Sequence, residues 1–308
     1  MDSVPEKTTL WRFSKTRIAP TPSGYLHVGN VLSFSITAYL ARKTGARILL
    51  RIDDLDRARL RSEYVRDIFE SLRYLGIPWD EGPEDMQEYE AKYSQFHRLK
   101  EYRAALEELK QAGQLYACDC PRNALTEAHL CPQHRIPFSS PGVNWRLHTH
   151  PDTPLTIRSL WQPPLTTALP GDMQDFIVRK KDGFPAYQLA SCVDDHYFGI
   201  DLVVRGADLW SSTLAQFYLS KLLGENTFGK STCYHHPLLK DDRTALKLSK
   251  SAGATSVQYL RQKGVRPPEI YATIAKMAGC EEQPEDYQSL AALLLRKWGV
   301  VLSGTSSV

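Results

Sequence analysis

The 308-residue sequence has no apolar run long enough to cross a membrane, so no transmembrane helix is expected. Its first residues, Met1 to Lys7, are polar and lack a signal-peptide core, and a cytoplasmic protein is the expectation. Strong charge is missing too: 38 basic against 35 acidic residues leave a net +3. That balance permits a nucleic-acid partner without arguing for one, which only a local basic face could do. There is no internal repeat, no dinucleotide-binding glycine fingerprint and no P-loop spacing. Cysteine is scarce. Cys118, Cys120 and Cys131 cluster, and without an export signal a cluster points to metal before disulfide. Cys192, Cys233 and Cys280 are scattered and read as plain buried residues. The hydrophobic fraction of 42% is that of a globular chain with a real core.

The chain is organised around Arg17 to Asn30, Arg-Ile-Ala-Pro-Thr-Pro-Ser-Gly-Tyr-Leu-His-Val-Gly-Asn. A short extended run leads into a loop stiffened by Pro20 and Pro22, with Gly24 and Gly29 for tight turns. A helix follows Asn30 and stops at Gly45. Its N-terminus offers free N–H groups and partial positive charge to a phosphate, with His27 beside it as a donor. Residues 46–52 read as a buried parallel strand, giving a βαβ unit that binds ligands at the strands' carboxyl ends. Asp53, Asp54 and Asp56 lie there; Asp54 and Asp56 read as a solvated turn. Residues 62–75 predict a helix capped by Ser62, and residues 90–112 one long amphipathic helix.

Cys118, Cys120, Cys131 and His134 can close a tetrahedral zinc site, with His129 as the rival fourth ligand. Residues 136–170 predict short strands and loops, 175–185 a strand and turn, and 199–208 a buried strand carrying Arg205. A guanidinium there can grip a carboxylate bidentately; the plain alternative is a structural Arg205–Asp208 pair. Ser212 is read as the cap of a helix through Leu223. The Lys247-Leu-Ser-Lys-Ser251 loop follows, then amphipathic segments at 267–278 and 286–297.

Taken together, these segments resemble class I aminoacyl-tRNA synthetases of the glutamyl and glutaminyl branch. His27-Val-Gly-Asn30 stands at the family's His-Ile-Gly-His signature and Lys247-Leu-Ser-Lys-Ser251 at its Lys-Met-Ser-Lys-Ser loop. Arg51-Ile-Asp-Asp-Leu-Asp56 resembles Arg-Ile-Glu-Asp-Thr-Asp, with Asp53 one methylene shorter than the family's acid. Tyr187 to His196 resembles Tyr-x-Leu-Ala-x-Val-Val-Asp-Asp-His, with Ser191 where glutamyl-tRNA synthetases usually carry Asn. The resemblance implies a Rossmann-type catalytic domain with an inserted, zinc-containing acceptor-binding subdomain. It divides the chain into a first Rossmann half (1–107), the insert (108–186), the second half (187–232) and the lysine loop with a short helical region (233–308). It implies that His27, Lys247 and Lys250 are catalytic, and that Arg17, Ala19, Thr21, Asp53, Tyr187 and Arg205 bind glutamate. ATP, with magnesium, is expected on His27, Gly29, Asn30, Asp208 and Lys250, and structural zinc on Cys118, Cys120, Cys131 and His134.

Fewer than 60 residues follow the lysine loop, with no anticodon-binding region expected. That layout resembles glutamyl-queuosine aspartate-tRNA synthetases. The expected activity is tRNA-independent formation of glutamyl-adenylate by a monomer, then transfer to the queuosine base of aspartate tRNA. The alternatives are a minimal glutamyl-tRNA synthetase charging glutamate tRNA, or a silent paralogue that binds RNA or an amino acid.

Overall fold

The structure is a computed structural model describing residues 11–120, 131, 135–224, 226–239 and 256–300. In chain order its main elements are β1 (Lys15–Ile18), α1 (Val28–Thr44), β2 (Arg47–Leu50), α2 (Ser62–Tyr74), α3 (Leu99–Gln111), β3 (Leu115–Cys118), β4 (Asn144–Leu147), β5 (Leu155–Ser159), β6 (Gln162–Thr167), β7 (Ile177–Arg179), α4 (Tyr187–Tyr197), β8 (Leu202–Gly206), α5 (Trp210–Leu222), β9 (Thr232–His236), α6 (Val257–Gln262), α7 (Pro267–Met277) and α8 (Tyr287–Lys297).

Strands β1 and β2 pair in parallel from Lys15↔Arg47 to Ile18↔Leu50, with α1 as the crossover. Helix α1 starts at Val28, earlier than the sequence indicated, because His27 caps it. It ends as expected at Gly45, which takes φ +80° and bonds back to the Ala41 carbonyl. Strands β8 and β9 form a second parallel pair, from Leu202↔Thr232 to Gly206↔His236. Asp201 and Thr16 lock β1 against β8. The Asp201 carboxylate accepts the N–H groups of Ser14 and Lys15 at 2.7 and 2.9 Å, and the Thr16 hydroxyl donates to the Leu202 carbonyl at 2.8 Å. The carboxyl ends of β1, β2, β8 and β9 therefore share one edge.

Strands β3, β4 and β7 form a separate antiparallel sheet. The hairpin β5–β6 falls within the stretch assigned to the insert, yet β5 runs parallel to β9 at Arg158↔Thr232 and Ser159↔Cys233. This part of the stretch extends the parallel sheet. Pro163 and Pro164 sit on β6 at its outer edge, where a missing N–H is tolerated.

Three local expectations need correction. Asp54 is not solvated: it is 1% exposed and accepts from the Tyr89 hydroxyl (2.6 Å), the Ser94 hydroxyl (2.5 Å) and the Gln95 N–H (3.0 Å). Those bonds hold Ser94 at ψ 141°, which breaks the expected 90–112 helix. A π turn (Tyr89–Tyr93) and a 3-10 turn (Gln95–Arg98) precede α3 instead. Ser62 and Ser212 are not caps. Ser62 is the first residue of α2, after Arg61, and Ser212 lies inside α5, where its hydroxyl accepts from Gln188 at 3.0 Å. Among the described residues no helix is long and apolar enough to cross a membrane.

Candidate active site

A cavity of about 330 Å³ opens at the shared carboxyl edge. Strand β1 contributes Arg17 and Ala19, the segment after β2 contributes Arg51 and Asp53, β8 contributes Val204, Arg205 and Gly206, and β9 contributes His236. His27, Gly29, Asn30, Tyr187 and Asp208 complete much of the wall. Of the expected substrate residues, Arg17, Ala19, His27, Gly29, Asn30, Asp53, Tyr187, Arg205 and Asp208 are brought together here. Thr21 is exposed and does not line the cavity. Lys247 and Lys250 lie outside the described residues. The chain on either side of them adjoins this site. Leu239 lines the cavity, and Ser256 forms an antiparallel bridge with His27, beside a 2.7 Å bond from Val257 N–H to the Leu26 carbonyl.

His27 is fixed by a reciprocal cap. Its Nδ1 accepts the Gly29 N–H at 3.1 Å, while its own N–H donates to the Asn30 side-chain oxygen at 3.0 Å. An Nδ1 that accepts leaves the ring proton on Nε2, so the neutral ring is a hydrogen-bond donor at the mouth of a helix N-terminus. Gly29 is required for this: a Cβ there would sit 2.8 Å from His27 Cε1 and 2.9 Å from Nδ1. Gly24, by contrast, has open space around it.

The cavity wall is built on a buried ion network. Arg51 bonds Asp53 at 2.7 Å and Asp195 at 2.5 Å, and its Nη2 donates to Ser191 at 3.2 Å. Arg17 shares Asp195 at 3.1 Å. Asp194 takes Arg98 at 2.7 Å, Tyr102 at 2.6 Å and Gln95 at 2.9 Å. Arg205 is different. It is 3% exposed and bonds only the neutral Gln216 (2.9 Å) and Thr213 (3.3 Å), with no carboxylate in ion-pair range among the described residues. The structural Arg205–Asp208 pair is therefore not formed among them. Burial, then the neighbouring guanidinia of Arg205 and Arg51, pull Arg17 below its ordinary pKa, against Asp195. Burial raises the Asp53 carboxyl, against the pull of Arg51. A cationic, desolvated wall of this kind is a receptor for an anion.

Sequence reasoning did not single out Arg51, Asp195 or His236. Arg51 interrupts an apolar strand, and Asp194-Asp195 interrupts an apolar helix; both are signals that a buried charge needs a partner. His236 is 2% exposed and its Nδ1 lies 2.9 Å from the Pro237 carbonyl, so that nitrogen carries the proton. Burial lowers its pKa and keeps it neutral.

Elsewhere, the sulfurs of Cys118, Cys120 and Cys131 lie within 4.8 Å of one another, with Cys120 and Cys131 at 3.3 Å. Burial, then the neighbouring thiols, push the Cys131 thiol up to about 12. Three sulfurs this close can serve as ligands to one metal ion. His134 and His129 lie outside the described residues.

Fold and cavity together are those of a parallel α/β protein with its ligand edge at the strands' carboxyl ends. Residues 14–135 and 166–290 match the family described as tRNA synthetases class I (E and Q), catalytic domain, and the chain belongs to that family. It is 36% identical over 291 residues to the glutamyl-Q tRNA(Asp) synthetase of Symbiobacterium thermophilum, covering 87% of this chain and 88% of that one. The glutamyl-Q tRNA(Asp) synthetase of Nitratidesulfovibrio vulgaris is 34% identical over 283 residues, 85% of this chain and 86% of its own. Glutamate–tRNA ligase 2 of Syntrophus aciditrophicus is 30% identical over 302 residues, and the match spans 60% of its length. The crystal structure of glutamate-tRNA synthetase from Elizabethkingia anophelis superposes with a TM-score of 0.68 at 20% identity, over 90% of this chain and 65% of that one, which speaks for the fold.

Proposed function

We propose that the protein activates L-glutamate with ATP as glutamyl-adenylate without tRNA, and transfers the glutamyl group to the queuosine base of aspartate tRNA. The observation that carries the amino-acid half is Arg205, a buried guanidinium lining the cavity without a carboxylate among the described residues. A glutamate side chain supplies that carboxylate. Arg17 and Tyr187 hold the same amino acid, and Asp53 meets its ammonium, with Ala19 beside it. The α-carboxylate attacks the α-phosphorus of ATP and pyrophosphate leaves. His27 Nε2–H and the N-terminus of α1 stabilise the charge that grows on the phosphate, with Lys247, Lys250 and a magnesium ion. Gly29, Asn30 and Asp208 complete the ATP contacts. A queuosine hydroxyl then takes the glutamyl group and AMP leaves.

The glutamyl-Q names of the relatives matched along most of their length support the acceptor assignment. Zinc on Cys118, Cys120, Cys131 and His134, with His129 the alternative to His134, would brace the β3–β4–β7 insert structurally. A second reading, charging of glutamate tRNA, is favoured by the glutamate–tRNA ligase relatives.

Labelled glutamate is offered with aspartate tRNA, with and without queuosine, and with glutamate tRNA. Labelling of queuosine-bearing aspartate tRNA alone is expected. Labelling of glutamate tRNA instead would establish the second reading.

A further inference from the structure

Among the described residues Arg205, on β8, makes its hydrogen bonds through one nitrogen. Its Nη1 donates to the Gln216 side-chain oxygen at 2.9 Å and to the Thr213 hydroxyl at 3.3 Å. The Nε–Nη2 edge is left over, and such an edge grips a carboxylate bidentately. Both partners come from α5, both are fully buried and both are neutral. Arg205 acts on Asp195 through space, but that carboxylate is already bonded by Arg17 at 3.1 Å and Arg51 at 2.5 Å.

An amide can present its oxygen or its NH2 group, and the bonds behind it decide which. Gln216 Nε2 donates to the Gln188 oxygen at 3.2 Å, and Gln188 Nε2 donates to the Ser212 hydroxyl at 3.0 Å. A relay running in that direction leaves the Gln216 oxygen for Arg205. The other partner adds no charge either. The Thr213 hydroxyl lies 2.8 Å from His235 Nε2, and burial, then Arg205 itself, pull that imidazole down to about 3. The remaining buried arginines of this wall, Arg17, Arg51 and Arg98, are each given an aspartate. At Arg205 an amide stands in that place, and a glutamate there would have the same shape. A buried charge without an anion is costly, and it persists where a ligand supplies the anion.

We infer that Gln216 is a positioning residue that sets specificity: its amide orients Arg205 without neutralising it, and so reserves the guanidinium for a side-chain carboxylate of the amino-acid substrate. Gln188 and Ser212 fix which end of the amide faces Arg205. The inference rests on the proposed function, in which that carboxylate is glutamate's. It adds that the neutrality of position 216, and not Arg205 alone, selects an acidic substrate.

Gln216→Glu and Gln216→Met separate charge from shape. In Gln216→Glu a carboxylate replaces the amide beside Nη1, and Gln188 can turn over to donate to it while accepting from Ser212. Arg205 is then paired within the protein, and a substrate carboxylate meets a like charge. In pyrophosphate exchange the glutamate KM should rise about a hundredfold or more, with the ATP KM within about threefold of wild type, and the preference for glutamate over glutamine should collapse. Gln216→Met removes a hydrogen bond but leaves Arg205 without an anion, so the glutamate KM should rise by about tenfold at most and the preference should remain. Equal KM changes in the two variants, with the preference intact in both, would overturn the inference and leave Gln216 a packing residue. Should Gln216→Glu fail to fold, Gln188→Glu brings a negative charge to the half-buried position behind it and should raise the glutamate KM about tenfold; a change below about threefold would overturn the inference. Wild type without glutamate-dependent exchange would sink the proposed function, and the role of Gln216 is then read in melting. Gln216→Glu pairs a buried charge and should melt above Gln216→Met; the reverse order would overturn that role.

Discussion

Replacing Gly29 by alanine tests whether the His27 ring acts in the reaction. The new Cβ would stand 2.8 Å from Cε1 and 2.9 Å from Nδ1 of His27. Carbon contacts relax near 3.5–4.0 Å, so the ring must retreat by roughly 0.7 Å or more. The backbone of Gly29 cannot yield instead, because Asn30 and Val31 N–H groups bond the His27 carbonyl at 2.8 and 3.2 Å. The ring therefore swings out and its bond from the Gly29 N–H, 3.1 Å in the native protein, is lost. Losing a cap costs about 0.5–2 kcal/mol, while alanine for glycine near a helix start returns up to about 1 kcal/mol. Net stability should change by less than about 1 kcal/mol, a melting shift of a few degrees. Activity should fall much further. A misplacement near 1 Å costs on the order of a hundredfold, and loss of a charge-stabilising donor a hundred- to a thousandfold. Glutamate-dependent pyrophosphate exchange should show kcat lowered about a hundredfold with glutamate KM within threefold of wild type. Gly24→Ala, where a Cβ meets nothing within 4 Å, is the neutral control. A Gly29→Ala enzyme with kcat within threefold of wild type would refute a chemical role for the oriented ring.

Asp54→Ala orphans three buried donors, so a loss of about 3 kcal/mol and a Tm lower by roughly 6–12 °C are expected in calorimetry. Burial alone would raise Asp195, but Arg17, Arg51 and Arg205 hold its carboxyl below the ordinary value. Its stabilisation is then fully present above about pH 3.9 and is lost as pH falls through the lower folded value. Wild-type stability should drop along that window, and Asp195→Asn, less stable overall, should lack this part of the slope in an acid titration of Tm. Cys131→Ala should abolish an otherwise stoichiometric zinc content by elemental analysis; full zinc retention would remove Cys131 from the ligand set.

Local signals in the sequence went far because the sheet edge is made of short, strongly marked segments. The His27 loop, the glycine stop at Gly45 and Arg205 on its strand all stand where spacing places them. The C-terminal periodicity likewise gives α7 and α8. What was illegible depended on partners distant in sequence. Asp54 looks like a solvated turn until Tyr89, Ser94 and Gln95 fold over it, and the same contacts break a helix whose amphipathic pattern is unbroken. Arg51 looks like a strand residue until Asp195, 144 positions away, is brought to 2.5 Å. The pairing of β5 with β9 has no local signal at all, since register between remote strands is decided by the assembled sheet.

The charges of that network carry a specificity argument. Of the four buried arginines in this wall, Arg17, Arg51 and Arg98 are each bonded to a buried aspartate, Asp53, Asp194 or Asp195. Arg205 is not: among the described residues its bonds go to Gln216 and Thr213. The side-chain carboxylate of a bound glutamate would give it a direct partner. Glutamine has the same shape but no charge: its amide oxygen can accept from Arg205, yet its NH2 group turns a donor toward donors and the buried guanidinium keeps no anionic partner. Sites built to bond a charged or polar group reject the analogue lacking it by on the order of 10⁴. The kcat/KM ratio for glutamate over glutamine in pyrophosphate exchange should reach at least about 10³ in the wild type. Arg205→Met should collapse that ratio toward unity, mainly by raising glutamate KM, while Tm holds or rises because a desolvated charge has gone. If Arg205→Met leaves the ratio unchanged, the side-chain carboxylate binds elsewhere, and Arg17 becomes the residue that reads it.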